Sequence, residues 1–155
     1  MEDSDQCKQT GKDSVHKKSI FQIESHLFCS GYHSAQNKSL LQSYNISHII
    51  NLTAHKYKNL HEDIVTYSSF SFSDHENFDL TTQLPPVLEI LNEKLSEHKN
   101  VLVHCQKGIS RAPSVIMAFL IKHRQMTFDE SLKFVQKQNP EAYPNLGFLM
   151  HLKSL

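Results

Sequence analysis

A short apolar strand, a polar loop and an apolar helix follow one another between residues 100 and 123. The segment NVLVH (100–104) has the continuous apolar centre of a strand buried in the middle of a parallel sheet. The segment APSVIMAFLIKH (112–123) predicts a helix that is apolar nearly all round, and such helices are buried. A fold that buries both needs a sheet with helices packed on it. This stretch therefore constrains the chain to an α/β architecture.

The rest of the sequence alternates between strand and helix patterns in the same way. Strands are predicted within 20–29, at 48–53 and at 64–70, and helices within 34–44, at 85–98, at 127–137 and at 145–155. Pro85 and Pro86 are expected in the first turn of their helix, where no backbone donor is missed. Thr127 and Glu130 form a capping box. The predicted fold is α/β, with a central, mostly parallel mixed sheet flanked by helices.

The 155-residue chain has the size of one ordinary domain, and its composition changes only once. Residues 1–18 contain almost nothing apolar and predict a disordered N-terminal tail, whereas residues 19–155 are globular in composition throughout. Acidic and basic residues balance at sixteen each, which argues against wholesale binding to nucleic acids or membranes. No apolar run approaches the ~20 residues that span a bilayer, and the N-terminus lacks the apolar core of a signal peptide.

The cysteines and histidines show none of the spacings that mark a disulfide scaffold or a metal site. Cys7, Cys29 and Cys105 lie far apart, which favours a reducing compartment, the cytoplasm and also the nucleus. The eleven histidines form no H-x-x-x-H pair, so we predict neither a metal nor another cofactor.

The loop between the buried strand and the buried helix carries the candidate chemistry. In an open α/β sheet, ligands collect beyond the carboxyl ends of strands, where helices begin. Backbone N–H groups there can bind an anion, Gly108 can adopt conformations that other residues resist, and Arg111 can donate twice to an oxyanion. The same positive potential stabilises Cys105 as a thiolate. The alternative interpretation, a buried cysteine at a strand end, explains neither Gly108 nor Arg111.

These residues also carry a family resemblance. His104-Cys105, five residues and Arg111 match the Cys-x5-Arg signature of cysteine-dependent phosphatases, and HCQKGISRAPS resembles the dual-specificity group most. The resemblance extends from about Phe21 to the C-terminus, through LFCSGYHSAQN, ISHIINLT and the closing YPNLGFLMHL. No docking domain fits before residue 20, so the chain resembles the small, atypical members. The resemblance implies the cysteine-dependent phosphatase fold and a catalytic domain at residues 19–155.

The resemblance implies a two-step reaction through a phosphocysteine on Cys105. Phosphate would be bound by the loop Gln106, Lys107, Gly108, Ile109, Ser110 and Arg111. The general acid and base would come from DHENFDL (74–80), which follows a predicted strand. Asp74 fits the position of the family's acid, whereas Asp79 is typical of a helix N-cap or first-turn residue. Both carboxylates remain candidates for the general acid at this point, with Asp74 preferred.

Four further residues are assigned supporting or uncertain roles. His104 is expected to orient the loop by hydrogen bonding, because it lies inside the strand end, and Ser110 is expected to support the loop. Asn145 resembles a family residue that braces the site, although the N-cap of the last helix is an equally good interpretation. Lys107 stands where many relatives have alanine, and it either attracts acidic peptide sequence or is simply solvated.

Ala112 is a second departure from the family pattern. Many relatives have Ser or Thr directly after the arginine, and that hydroxyl donates a hydrogen bond to the sulfur as it leaves. Hydrogen bonds to charged groups are worth ~1.5–3 kcal/mol, so its absence would slow hydrolysis of the phosphocysteine roughly 10- to 150-fold. We therefore predict that this hydrolysis limits turnover.

The function that the resemblance implies is a phosphatase acting on phosphotyrosine and phosphoserine or phosphothreonine in proteins, with kinases among the candidate partners. Neutral Gln106 and apolar Ile109 favour protein over phosphoinositide substrates, because relatives acting on the latter tend to be basic there. Two alternatives stay open: a phosphate-binding scaffold protein with little turnover, and a rhodanese-like sulfurtransferase or arsenate reductase, which would not use Asp74. Whether Cys29 reaches Cys105 as a redox partner is also open.

Overall fold

The computed structural model describes residues 19–155, so the tail predicted for residues 1–18 lies outside the described residues. Five strands form one sheet. They are β1 (Phe21–Glu24), β2 (Leu27–Ser30), β3 (His48–Asn51), β4 (Thr66–Ser69) and β5 (Val101–His104). The spatial order is β1-β2-β5-β3-β4, in which β1 pairs antiparallel with β2 and every other pair is parallel. The predicted central, mostly parallel mixed sheet is confirmed.

Strand β5 lies in the middle of this sheet, where the apolar centre of NVLVH predicts it. Val103 is in register with Cys29 of β2 on one side and with Ile50 of β3 on the other. Every residue of β5 is buried. The loop that leaves the strand after His104 therefore starts from a position that both neighbouring strands hold.

Within residues 19–155, six helices cover the two faces of the sheet. They are α1 (Tyr32–Ala35), α2 (Lys38–Ser43), α3 (Leu80–Ser96), α4 (Arg111–His123), α5 (Phe128–Gln138) and α6 (Leu146–Lys153). Leu102 packs with Ala35 and Leu41 on the α1–α2 face, whereas Val101 and Val103 pack in the larger core with α3 to α6. Helix α4 is buried from Arg111 to Leu120, which its all-round apolar pattern predicts.

Two helices differ from the sequence prediction. Helix α3 begins at Leu80, with Asp79 as its N-cap, so Pro85 and Pro86 lie in the second turn and not the first. Interior prolines remove two backbone hydrogen bonds, but both prolines are exposed, as are Thr81 and Thr82, whose carbonyls water can hydrate. The leucine-rich buried face of α3 offsets the loss. The predicted helix within 34–44 is split, because Asn37 caps a second helix by accepting from Leu40 N–H.

The capping box at the start of α5 is present, with Thr127 and Glu130 each bonded to the other's backbone N–H. In residues 19–155 no helix is long and apolar enough to cross a membrane.

Candidate active site

The loop from Cys105 to Ser110 is tied to its surroundings through its carbonyl groups. The carbonyl of Gln106 accepts from Tyr32 N–H at 3.0 Å, and that of Ile109 accepts from Tyr143 N–H at 2.8 Å. The carbonyl of Gly108 accepts from the buried Asn139 amide at 2.9 Å. Because these carbonyls bond outward, the loop N–H groups are free to face the other way, as a nest for an anion requires.

Two backbone N–H groups, one from the loop and one from the start of α4, converge on the sulfur of Cys105. Gly108 N–H donates to Sγ at 3.3 Å and Ala112 N–H donates at 3.4 Å. Ala112 is the second residue of α4, so the sulfur accepts from one of the N–H groups that every helix start leaves without an intrahelical partner. Both contacts place the partial positive charge of a backbone N–H against the sulfur.

Gly108 is required at its position for two reasons. Its φ is +75°, a conformation that side-chain-bearing residues resist, and a Cβ would lie 2.8 Å from the carbonyl carbon of Ser30. The loop therefore packs backbone against backbone on the end of β2.

Arg111 is buried at the first position of α4, with 9% of its surface exposed. One Nη donates to the carbonyl of Phe72 at 2.9 Å, which holds the guanidinium in place in the lining of the cleft. Its Nε has no hydrogen-bond partner. A buried charged donor without a partner is unfavourable, so this position fits an anionic ligand that would accept from Nε.

Asp74 lies over the same cleft. A cavity of about 410 Å³ is lined by Asp74, Cys105, Gln106, Lys107, Ile109, Ser110 and Arg111. Asp74 thus shares the cleft with the sulfur, although it precedes Cys105 by a strand and a long helix in the chain. Asp79 instead accepts from Thr82 N–H as the N-cap of α3, and this hydrogen bond lowers the pKa of its carboxyl. The N-cap role that the sequence indicates for Asp79 is confirmed.

The sequence left two roles open for Asn145, the N-cap of the last helix and a contact that braces the site, and its side chain makes a contact of each kind. Its side-chain carbonyl accepts from Phe148 N–H at 2.9 Å and caps α6. Its amide donates to Asp74 Oδ1 at 2.9 Å. Its backbone N–H donates to Ser110 Oγ at 2.9 Å, so one residue links the acidic loop to the phosphate loop. This hydrogen bond supports the expected role of Ser110, which stays a prediction.

His104 is buried at the end of β5 and lies outside the cleft lining. Its Nδ1–H donates to the carbonyl of Cys105 at 3.2 Å. Burial lowers the pKa of His104 to about 4, so the ring is neutral near pH 7. A neutral, buried ring with one backbone bond supports the orienting role.

The loop that carries Asp74 is packed from below by aromatic rings and from the side by α6. Phe78 contacts Phe72 at a ring-centroid distance of 4.9 Å and Phe148 at 6.3 Å. Gly147 lies so close to the loop that a Cβ there would overlap the carbonyl of Glu76. The start of α6 therefore positions the loop through both Asn145 and Gly147.

Cys29 is fully buried on β2, and in residues 19–155 both cysteines are free. Burial, followed by the charge of Cys105, raises the pKa of the Cys29 thiol, so it stays protonated. Within the same range no group of three or more His, Cys, Asp or Glu side chains could hold a metal ion.

Several residues that build the site escaped the sequence reasoning, namely Tyr32, Asn139, Tyr143 and Gly147. Each acts through backbone or amide contacts with residues far away in the chain. The spacing of Tyr143 and Gly147 on either side of Asn145 was a signal in the sequence that could have identified two of them.

Comparison with known proteins identifies the family. The sequence-family model of the dual specificity phosphatase catalytic domain matches residues 27–155. Dual specificity protein phosphatase 1 of Arabidopsis thaliana is 32% identical over 133 residues, which are 86% of this chain and 67% of that protein.

Two solved structures share the fold across most of the chain. The human tyrosine phosphatase-like serine/threonine/tyrosine-interacting protein has a TM-score of 0.81 at 25% identity, covering 88% of this chain and 95% of that one. The Yvh1 phosphatase domain from Chaetomium thermophilum has a TM-score of 0.77 at 26% identity, covering 88% and 94%. The chain therefore belongs to the dual specificity phosphatase catalytic domain family, protein phosphatases that act on phosphotyrosine, phosphoserine and phosphothreonine by cysteine-based catalysis.

Proposed function

We propose that Cys105 is the nucleophile, that Arg111 and the N–H groups of residues 106–111 bind phosphate, and that Asp74 is the general acid and base. One observation carries the proposal: Asp74, Cys105 and Arg111 line a single cleft of about 410 Å³. Donors converge on the sulfur from below, and Asn145 holds the carboxylate at its edge.

In the first step the Cys105 thiolate attacks phosphorus, the S–P bond forms and the bond to the substrate oxygen breaks. The leaving oxygen takes the proton of Asp74. Arg111 and the loop N–H groups stabilise the charge on the three equatorial oxygens, and their fixed positions mean that little reorganisation is needed. The free Nε of Arg111 supports this role, since a phosphate oxygen would satisfy it.

In the second step water attacks the phosphocysteine and gives a proton to Asp74, now acting as base. The P–S bond breaks, inorganic phosphate leaves and the thiolate is restored. The N–H groups of Gly108 and Ala112 support sulfur as a leaving group, because they already donate to it.

Among phosphoproteins, kinases are the candidate partners, because kinase activation loops are ordered by phosphorylation on threonine or tyrosine. The cytoplasm, and also the nucleus, is the proposed location. Its support is the chemistry, since a catalytic thiol works in its reduced form and a reducing compartment keeps it so.

A second candidate function is phosphate-dependent protein binding with little turnover. It is favoured by Ala112 and by the structural likeness to a protein named as a serine/threonine/tyrosine-interacting protein. Cys105, Arg111 and Asp74 in one cleft favour catalysis instead.

The test is hydrolysis of phenyl phosphate and of p-nitrophenyl phosphate with a chelator present. We expect turnover that Cys105→Ser abolishes. Asp74→Asn should lower kcat for phenyl phosphate by about 100-fold or more, and less for the nitrophenyl ester, whose leaving group needs no acid. The matched control Asp79→Asn keeps a good N-cap and should retain activity. Turnover retained in Cys105→Ser, or equal activity of Asp74→Asn and wild type, would overturn the proposal. Sulfur transfer or arsenate reduction without ester hydrolysis would show the remaining alternative.

A further inference from the structure

The segment that follows β3 contacts the phosphate loop. Lys56 Nζ donates to the side-chain carbonyl of Gln106 at 3.5 Å. Tyr57 stacks on Tyr32, with ring centroids 3.7 Å apart and planes at 10°. Tyr32 is itself bonded to the loop through the carbonyl of Gln106. We call Tyr32, Lys56 and Tyr57 the aromatic–basic wall.

The aromatic–basic wall is held in place by hydrogen bonds from the end of β3. The amide of Asn51 donates to the carbonyl of Tyr57 and to the side chain of Asn59, both at 2.9 Å. The N–H groups of Lys56 and Tyr57 both donate to the carbonyl of Thr53 at 2.9 Å. Such bonding is more than a solvated surface loop requires, and it presets the direction in which Lys56 and Tyr57 project.

Two ammonium groups therefore flank Gln106 at one side of the cleft. Lys107 is exposed and lines the cleft directly, and Lys56 is exposed beside it. Within residues 19–155 neither is paired with a carboxylate, and Asp63, at the end of the same segment, is paired with Lys38 at 2.6 Å. Asp74 lines the same cleft, so the cleft carries both basic and acidic side chains.

We propose that Lys56 and Lys107, positioned by the Tyr32–Tyr57 stack, form a subsite for an anionic side chain one or two residues from the phosphoresidue. This inference rests on the proposed function and names the substrate class of the same site. Successive residues of an extended peptide advance by ~3.3 Å, so a neighbouring side chain reaches the rim while the phosphate sits over Cys105. The occupant is a carboxylate or a second phosphate on the same peptide.

The experiment compares three phosphotyrosine peptides that differ only beside the phosphoresidue: one with Asp and Glu, one with Asn and Gln, and one with a phosphothreonine. The readout is the ratio of kcat/KM for each anionic peptide to that of the neutral peptide. Two exposed charge pairs predict a ratio of about fivefold for the carboxylate peptide, decreasing as salt is added. A larger ratio for the phosphothreonine peptide would identify phosphate as the preferred anion, and the reverse would identify carboxylate.

Substitutions show which residues cause the preference for the anionic peptides. Lys56→Met should lower the ratio to about twofold, and Lys56→Met with Lys107→Met should bring it near one. Lys58→Met, an equal charge change on the same loop, is the matched control and should keep it. Tyr57→Ala should lower the ratio, whereas Tyr57→Phe keeps the ring stack and should restore it. A ratio of one in wild type, or an unchanged ratio in the double variant, would overturn the subsite.

Failure of the subsite can be told apart from failure of the proposed function. The same peptides are titrated against Cys105→Ser by calorimetry, which needs no turnover. A preference in affinity that Lys56→Met removes would support the subsite even if the wild type hydrolyses nothing. Equal affinities for all three peptides, or tight binding only to vesicles containing phosphoinositides, would refute it.

Discussion

The amide of Asn145 donates to Asp74 Oδ1 at 2.9 Å, and the other end of the same side chain caps α6. Helix α6 is thereby coupled to the proposed acid through one side chain. Since Asn145 N–H also bonds Ser110, the distance between the acidic loop and the phosphate loop is set by this residue.

Substitution can separate the two roles of the Asn145 side chain, the hydrogen bond to Asp74 and the N-cap of α6. Asn145→Ser keeps an N-cap but loses the donor to Asp74, whereas Asn145→Ala loses both. We expect both variants to lower kcat for phenyl phosphate by about tenfold, from one lost charge-assisted hydrogen bond. Asn145→Ala alone should lose about 1 kcal/mol of unfolding free energy in urea.

A double-mutant cycle supplies the control. In an Asp74→Asn background, Asn145→Ser should have little further effect on kcat, because its partner is already changed. Additive effects would mean that Asn145 does not act through Asp74.

Gly147 gives a second way to move the acidic loop. Gly147→Ala places a methyl group against the carbonyl of Glu76, so the loop must shift away from α6. We expect kcat for phenyl phosphate to fall by about tenfold or more, since small displacements of a catalytic group are costly. Inhibition by orthovanadate, which needs only the phosphate loop, should change little. The neighbouring Leu146→Ala, at a side chain that is 61% exposed, is the control and should retain wild-type kcat. Equal loss of vanadate affinity in Gly147→Ala would show that the phosphate loop itself had moved.

The parts of the site that the sequence predicted are those encoded locally. Strand β5, the loop and α4 are consecutive, so their apolar patterns place Cys105 and Arg111 without knowledge of the rest. The role of Asp79 as the N-cap of α3 depends only on the next three residues. The early start of α3 was missed because Pro85 and Pro86 indicate a first turn, while the buried face that offsets them is seen only in the packed fold.

The long-range contacts that position the phosphate loop and its surroundings could not be predicted from the sequence. Asn139 reaches the carbonyl of Gly108 across 31 residues, and Tyr57 stacks on Tyr32 from a different strand end. No periodicity or spacing encodes such pairs, because they follow from the order of strands in the sheet. The segment HKYKNLHED (55–63) contains Lys56 and Tyr57, but a solvated loop has the same composition, so the sequence does not indicate the ring stack.

Two buried histidines predict how stability depends on pH. Burial lowers the pKa of His104 and that of His48 to about 4, whereas an unfolded histidine titrates near ~6.5. Between these values the unfolded chain binds more protons, so unfolding free energy falls as pH falls from 6.5 towards 4. Each histidine should contribute a loss of about 2 kcal/mol between pH 7 and pH 5.

Urea unfolding from pH 7 to pH 5 measures this slope. His104→Asn keeps a donor for the carbonyl of Cys105 but cannot take up a proton, so the slope should decrease by about half. The exposed His55→Asn should leave it unchanged. A wild-type stability that is flat over this range would contradict the assignment.

Ala112 bears on which step limits turnover. It is fully buried, and it reaches the sulfur of Cys105 only through its N–H, at 3.4 Å. Without a side-chain hydroxyl at this position the departing sulfur has one donor fewer, so the phosphocysteine should accumulate. We expect rapid mixing with p-nitrophenyl phosphate to give a burst of nitrophenol close to one equivalent. Ala112→Ser should raise the steady-state rate by about tenfold and diminish the burst. Ala118→Ser, also buried in α4, controls for a buried hydroxyl and should keep the burst. A wild type without a burst, or an unchanged rate in Ala112→Ser, would place the limiting step before the phosphocysteine.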